Sequence, residues 1–225
     1  MIPGWFITGT DTGVGKTHVA CALVGALVQA GHPVVGMKPV ASGASRTPNG
    51  LRHEDAERLQ VAGNVLADYE TINPYCFEPP IAPHLAAEDA GQPIRPELIL
   101  EHYTQLKQRA RFVVVEGAGG WRVPLGPQWA ISDLARALGL PVVLVVGMRL
   151  GCLNQALLSV EAIRRDGVVF AGWVANCMYP DMLLFERNLA TLEQRIGLAP
   201  LAVFPHGSSG DNPVWPTSFS LDKMM

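Results

Sequence analysis

Short apolar runs punctuate the chain at Trp5–Thr8, Pro33–Met37, Phe112–Val115, Pro141–Val146, Val168–Val174 and Pro200–Phe204. Several are continuous, as in FVVV and PVVLVV. A strand with one face in water alternates apolar and polar residues, whereas a strand buried on both faces does not. The runs therefore predict parallel strands covered by helices. Patterns with helical spacing fall between them, near 16–30, 97–109, 131–138, 153–165 and 183–196. Strand and helix in alternation predict an α/β fold: a doubly wound, mostly parallel sheet with helices on both faces. Residues 1–225 are expected to form one such domain, and the turn-rich tail 206–225 is left without assigned structure.

Two stretches qualify this pattern. The segment between Lys16 and Lys38 carries no formal charge and is long enough to suggest a membrane span. It is interrupted by Gly31 and Pro33, the usual end of one element and start of another, so it reads as a buried helix followed by a buried strand. The second stretch, Pro39 to Pro96, breaks the rhythm with ASGASRTPNG, a charged helical piece HEDAERLQ and the turn-rich TINPYCFEPPIAPH. A connection this long inside a compact domain is usually functional or disordered, and its Asn, Tyr and Pro content favours an ordered loop.

Composition narrows the function classes. Hydrophobic residues make up 48% of the chain and charged residues 16%, which supplies a sizeable core and little disorder. A formal net charge of -3 argues against a general nucleic-acid or membrane-surface binder. Cys21, Cys76, Cys152 and Cys177 have no metal-like spacing, so reduced thiols in a cytoplasmic protein are the simplest reading. The start MIPG has no basic stretch, and no secretory leader is expected.

In an open parallel sheet, ligands bind beyond the carboxyl ends of the strands. After the first run comes GTDTGVGKT, after the second KPVASG, after the third EGAGG. The fourth leads into GMRLGCLN, the fifth reaches Asn176, and the sixth ends at Pro205, His206 and Gly207. Polar and glycine residues thus gather on one edge. The first turn resembles a phosphate-binding P-loop, with Lys16 for the β/γ-phosphates and Thr17 for Mg²⁺. It is a variant, since Thr10 stands at the first glycine position. No G-x-G-x-x-G occurs there, which disfavours a dinucleotide fingerprint.

The remaining candidates stay open on the residues alone. Glu116, at the end of a buried run, is either a magnesium acid or a turn cap. Lys38 either faces the phosphate site or reaches water. Asp55 is not singled out from Glu54 and Glu57 by periodicity. The helix start at 151–154 is an anion site or an ordinary cap. Asn176 suits an adenine edge, and equally a turn.

Taken together, FITGTDTGVGKT, GMKPVASG, TPNGLRHEDA, INPYCFEPPIAPH, VVVEGAGGW, PVVLVVGMRLGCLNQA and AGWVAN resemble the ATP-dependent dethiobiotin synthetases, in family order. The resemblance implies a P-loop NTPase-like fold and a cyclo-ligase of biotin biosynthesis. Its substrates would be 7,8-diaminononanoate, CO₂ and ATP, with Mg²⁺. An amine takes up CO₂ as a carbamate, the carbamate attacks the γ-phosphorus, and the second amine closes the ureido ring. By the same resemblance Lys16 and Lys38 are catalytic, and Thr17, Asp55 and Glu116 hold the metal. ATP would contact Gly13, Val14, Gly15, Lys16, Thr17, His18, Asp55, Glu116, Gly117, Ala118, Gly119, Asn176, Cys177, Pro205, His206 and Gly207. Substrate would contact Thr12 and Ser42, with its tail carboxylate at Gly151, Cys152, Leu153 and Asn154 of a partner subunit, making the protein a homodimer.

This sequence departs from the family pattern at two places. Gly13 stands where some members have glutamate, and Cys177 where an acid is common. SSGDNPVW leaves ribose recognition unassigned. Among rival functions, a partition-type switch ATPase often has a second lysine early in the loop, where Asp11 stands. An amidotransferase synthetase would need room for a glutaminase domain. A small-molecule kinase is not excluded by the loop and Lys38 alone.

Overall fold

A computed structural model of the protein describes residues 4–207. Strand β1 (Gly4–Gly9) leads into helix α1 (Lys16–Gln29) and back to β2 (Val34–Met37). The following insertion holds β3 (Val40–Ser42), a hairpin of β4 (Ser45–Thr47) and β5 (Gly50–Arg52), α2 (Glu54–Ala62), α3 (Tyr69–Ile72), β6 (Tyr75–Phe77), α4 (Pro83–Asp89) and α5 (Pro96–Arg109). Next come β7 (Phe112–Gly120), a hairpin of β8 (Pro124–Gly126) and β9 (Trp129–Ala130), and α6 (Ile131–Leu138). Strand β10 (Val142–Met148), α7 (Cys152–Arg165), β11 (Phe170–Cys177), α8 (Phe185–Ile196) and β12 (Ala202–Phe204) complete the order.

Six strands form one sheet in the order β12-β11-β10-β1-β7-β2, and every pairing in it is parallel. The continuous apolar runs have a simple cause, because successive side chains point to opposite faces. Phe6, Val113, Val115, Val142, Leu144 and Val146 pack on one side, with residues of α3 to α8. Trp5, Ile7, Phe112, Val114, Val143 and Val145 pack on the other, against α1. Each face therefore needs its own apolar set, and alternation is lost. Helix α1 is buried over most of its length, which explains its lack of charge after Lys16. Among the described residues no helix is long and apolar enough to cross a membrane.

Several strand boundaries differ from the sequence reading: β10 runs on to Met148, β12 begins only at Ala202, and two others show why. The fifth strand was expected at Val168–Val174 and lies at Phe170–Cys177; Val169 is 68% exposed. Apolar character continues before the strand begins, and the strand continues after that character ends. Strand β7 likewise runs past Val115 through the glycine strip to Gly120, where Gly9 pairs with Gly120. The short strands β3, β4, β5, β6, β8 and β9 carry too few residues to show a period. The tail reading applies up to Gly207, and residues 208–225, including SSGDNPVW, lie outside the described residues.

Candidate active site

The chain crosses from β1 to α1 by a turn whose backbone is set at two glycines, Gly13 (φ 73°) and Gly15 (φ 92°). Left-handed φ is costly for any residue with a Cβ. The turn is pinned from below by Val14, which is fully buried. Its methyl groups occupy the space that Cβ atoms at Gly9 and Gly147 would need, 2.7 and 2.8 Å away. Among the described residues, the N–H groups of Gly13, Val14, Gly15, Lys16 and Thr17 find no acceptor. Successive free N–H groups at a helix start form a concave anion cradle. The Lys16 ammonium donates to the Asp11 carbonyl at 2.9 Å, and burial, helped by the charge of Lys38, lowers its pKa to about 8.

Beside the cradle stands a buried cluster drawn from four elements. Lys38, just after β2, donates to Asp55 Oδ2 of α2 at 2.8 Å and to Glu116 Oε1 of β7 at 2.5 Å. Thr17 Oγ1 of α1 donates to the same Glu116 oxygen at 3.0 Å. Burial opposes the Lys38 charge, but the two carboxylates outweigh it and hold the ammonium above its ordinary value. Burial would also raise Asp55, yet Lys38 and Thr17 bring it down to about 2. Glu116 lies deepest; burial pushes it up while Lys38 pulls it down. Its second oxygen, Oε2, is buried without a hydrogen-bond partner. A hydroxyl, two carboxylates and an orphaned carboxylate oxygen beside a phosphate cradle fit Mg²⁺, which takes one or two protein carboxylates plus phosphate oxygens. Among the described residues there is no denser group of His, Cys, Asp and Glu side chains suited to a metal.

These residues line one cleft of about 910 Å³. Its walls include Thr12, Gly13, Gly15, Lys16, Thr17, His18, Lys38, Ser42, Asp55, Glu116, Ala118, Gly119, Asn176, Cys177, Pro205, His206 and Gly207. His18 stands edge-on to Phe204, ring centroids 4.9 Å apart, and burial holds its pKa below the ordinary value. Asn176 at the far end gives its amide nitrogen to the Val14 carbonyl at 2.9 Å and to Met178 Sδ at 3.8 Å. Both amide hydrogens are thereby used within the protein, so the expected donor for an adenine edge is engaged and Oδ1 is the group left to accept.

Some expected residues give the cleft wall no side chain. The Val14 side chain faces the core while its N–H belongs to the cradle, and a Cβ at Gly117 would meet the Phe6 ring and Ile131. Gly117 lies inside β7, where alternation turns it from the cleft. The 151–154 segment opens α7 and lies outside its own chain's cleft. Cys152 is buried and its N–H donates to the Arg149 carbonyl at 3.0 Å. The N–H groups of Leu153 and Asn154 have no backbone acceptor among the described residues.

Sequence reasoning missed His53. It caps α2, accepting from Asp55 N at Nδ1 (3.2 Å), while its Nε2 lies 3.1 Å from the Ser42 carbonyl. A proton on Nε2 satisfies both contacts, and the ring then ties the Ser42 turn to Asp55. Its position before an acidic first turn was the available signal, but histidine is not a usual cap. Pro80, Ile81, Ala82 and Pro83, within the INPYCFEPPIAPH stretch, form an apolar wall to which the sequence reading gave no role in the site.

Comparison with known proteins decides the family. A family profile described as "AAA domain" matches residues 4–214. The ATP-dependent dethiobiotin synthetase BioD of Aromatoleum aromaticum is 48% identical over 207 residues, 92% of this chain and 92% of the relative. The protein of that name from Pseudomonas paraeruginosa is 52% identical over 196 residues, 87% of this chain and 86% of the relative. The chain belongs to the ATP-dependent dethiobiotin synthetase family. It is accordingly an enzyme, an ATP-dependent synthetase. Solved structures of similar fold include a ParA family ATPase from Chlorobium tepidum TLS, with TM-score 0.56 and 13% identity, covering 91% of this chain and 85% of that one. MinD from Pyrococcus horikoshii OT3, solved with Mg-ADP, has TM-score 0.52 and 15% identity, covering 90% and 81%. At such identities the likeness concerns the fold alone, which is P-loop NTPase-like as expected.

Proposed function

We propose that this enzyme closes the ureido ring of dethiobiotin from 7,8-diaminononanoate, CO₂ and ATP, as a step of biotin synthesis in the cytoplasm. Residues 1–225 act as one P-loop domain in this reading. The observation that carries it is the meeting of Lys16, Lys38, Thr17, Asp55 and Glu116 on one cleft beside free loop N–H groups. An ATPase needs the cradle and the acids. The buried Lys38 adds a second cation at the place where a carbamate would meet the γ-phosphate.

In the reaction, one amine of the substrate adds to CO₂ and releases a proton, giving a carbamate. A carbamate oxygen attacks the γ-phosphorus and ADP leaves, forming a carbamic–phosphoric mixed anhydride. The second amine then attacks the carbamyl carbon, phosphate departs, and the cyclic urea forms with loss of a proton. The loop N–H groups hold the phosphates, and Lys16 moves from the Asp11 carbonyl to the β/γ oxygens. Lys38 faces the negative charge shared by the carbamate and the transferring phosphoryl group. Thr17, Asp55 and Glu116 would hold Mg²⁺, whose chemistry is to neutralise charge between the phosphates. Thr12 and Ser42 contact the substrate, and Asn176 Oδ1 accepts from the adenine amine. Ala118 and Gly119 line the phosphate side, and the Pro205–Gly207 turn flanks the base.

The tail carboxylate lies at the Gly151–Asn154 turn of a second copy, received by the free N–H groups of Leu153 and Asn154. The position of that turn outside its own cleft supports a homodimer with shared sites. Incubation with MgATP, bicarbonate and diaminononanoate, followed by mass spectrometry, should yield ADP, phosphate and the cyclic urea. ATP hydrolysis without urea would mark a switch ATPase, and a stable phosphorylated product would mark a kinase.

A further inference from the structure

Asp11 stands where a phosphate-loop lysine would mark a partition ATPase, and none of the roles above uses its side chain. Three elements converge on it. Its Oδ1 accepts from the Thr12 N–H at 2.8 Å, and its Oδ2 accepts from Arg149 Nη2 at 2.6 Å. Its own carbonyl is the acceptor of the Lys16 ammonium at 2.9 Å. Arg149 in turn lies just after β10, and its carbonyl accepts the Cys152 N–H at 3.0 Å. That bond shapes the Gly151 corner (φ 94°) from which α7 starts. A continuous chain of bonds thus runs from Lys16 through Asp11 and Arg149 to the turn at 151–154.

The pair also sits at a border. Thr12 lines the main cleft, whereas Thr10 and Asp11 line a second groove of about 430 Å³ with Trp121, Arg122 and Leu158. Both partners keep water contact, with the Arg149 side chain 32% and the Asp11 side chain 47% exposed. An ion pair at such exposure adds little to folding stability. Its cost in rotamer freedom is met by holding two loops in register.

We infer that Asp11 and Arg149 are a positioning pair: they tie the loop that holds Lys16 and Thr12 to the turn that receives the substrate's tail carboxylate in the other subunit. The pair touches no reacting atom. It couples the phosphate end of one site to the turn that holds the carboxylate end of the other, and by the symmetry of the dimer each site depends on both pairs. This inference rests on the synthetase reading given above.

The test compares wild type with Arg149→Ala, Arg149→Lys, Asp11→Asn and the double variant Asp11→Asn/Arg149→Ala. Steady-state urea formation is measured against diaminononanoate and against ATP, and diaminononanoate is also compared with its methyl ester. Arg149→Ala should raise KM for diaminononanoate about tenfold, with KM for ATP within about twofold of wild type. The preference for the acid over its ester should shrink by a similar factor. Arg149→Lys should recover part of the loss. Asp11→Asn should mimic Arg149→Ala, and the double variant should be no worse than the poorer single, since both remove one bridge. Melting temperatures should stay within about 4 °C of wild type.

Equal KM values and ester preference in Arg149→Ala and wild type would overturn the inference. So would independent, multiplying losses in the double variant. A lower KM in Asp11→Asn would overturn it as well, because a released guanidinium would then be meeting the carboxylate itself. If Arg149→Ala fails to fold, the pair is a structural one and the inference falls, unless Arg149→Lys and Asp11→Asn reproduce the predicted KM split. Failure of wild type to form the urea sinks the parent reading instead, so the two failures are distinguishable.

Discussion

Lys38 looks like a site lysine that could be removed without harm to the fold, but its surroundings argue otherwise. Its side chain is 5% exposed, between Glu116 at 1% and Asp55 at 28%. Replacing it with methionine keeps the volume of the stem and removes the charge. Asp55 can turn to water, whereas Glu116 cannot, so the uncompensated charge is borne by Glu116. Breaking a buried pair by removing one partner costs about 3–5 kcal/mol. The Thr17 hydroxyl, still 3.0 Å from Glu116, favours the lower end of that range. For a chain of this size that corresponds to a fall in Tm of roughly 6–20 °C.

Calorimetry without nucleotide or metal should show this fall for Lys38→Met. The double variant Lys38→Met/Glu116→Gln should recover at least about half of it, because the orphan charge has gone. The pH dependence follows from the sign of the shift. Burial raises the folded carboxyl of Glu116, and loss of Lys38 raises it further. The folded protein then binds a proton that the unfolded chain has released, so the deficit is full above the folded pKa and fades as pH falls below it. Each pH unit in that window is worth about 1.4 kcal/mol. The gap between Lys38→Met and wild type should therefore narrow from pH 8 to pH 5. A variant melting with wild type, or a double variant no more stable than the single, would refute the reasoning.

Lys16 titrates at about 8 in the free protein because burial and Lys38 oppose its charge, and bound phosphates should restore its proton. ATP affinity should thus fall as pH rises above about 8, with proton uptake seen by calorimetry in buffers of different ionisation enthalpy; proton-neutral binding at pH 9 would contradict this. Mixing two inactive variants, Lys16→Gln and Asn154→Asp, should restore about a quarter of wild-type turnover, since each mixed dimer regains one intact site. No recovery after subunit exchange would refute shared sites. Cys177 is half-buried on the cleft wall whereas the Cys21 thiol is buried and pushed up to about 12, so a maleimide should label Cys177 before Cys21, and MgATP should protect Cys177. Peptide mass spectrometry showing equal labelling with and without MgATP would count against the site. Leu184, 62% exposed, starts α8 with φ 54°, a conformation strained for leucine, and Leu184→Gly should raise Tm by about 1–4 °C.

What could be read from the chain follows its physics. The strands of the main sheet were legible because each face of the sheet buries its own apolar set, leaving unbroken runs. The end of β11 was hidden because the polar Asn176 interrupts its apolar run, and β3 and β6 were hidden because three residues show no period. In the site, the loop was legible locally, since glycines, lysine and threonine must be adjacent to act. The Lys38–Asp55–Glu116 contact joins residues far apart in sequence, and only the family resemblance chose Asp55 over its neighbours. Gly117 came from the family resemblance alone; strand alternation aims its Cβ direction toward Phe6 and Ile131, which leaves its backbone as the group for any phosphate contact. His53 escaped because its role lies in two backbone contacts that no spacing encodes.

Val14 joins the phosphate cradle to the hydrophobic interior. With its methyl groups seated over Gly9 and Gly147, the entropy of ordering the turn is lost during folding rather than at each encounter with a nucleotide. A larger side chain at either glycine would lift this peg and convert a rigid receptor into one that must be organised by its ligand. Evolution of a weaker or slower nucleotide grip in this scaffold has a route that leaves every phosphate-facing residue untouched.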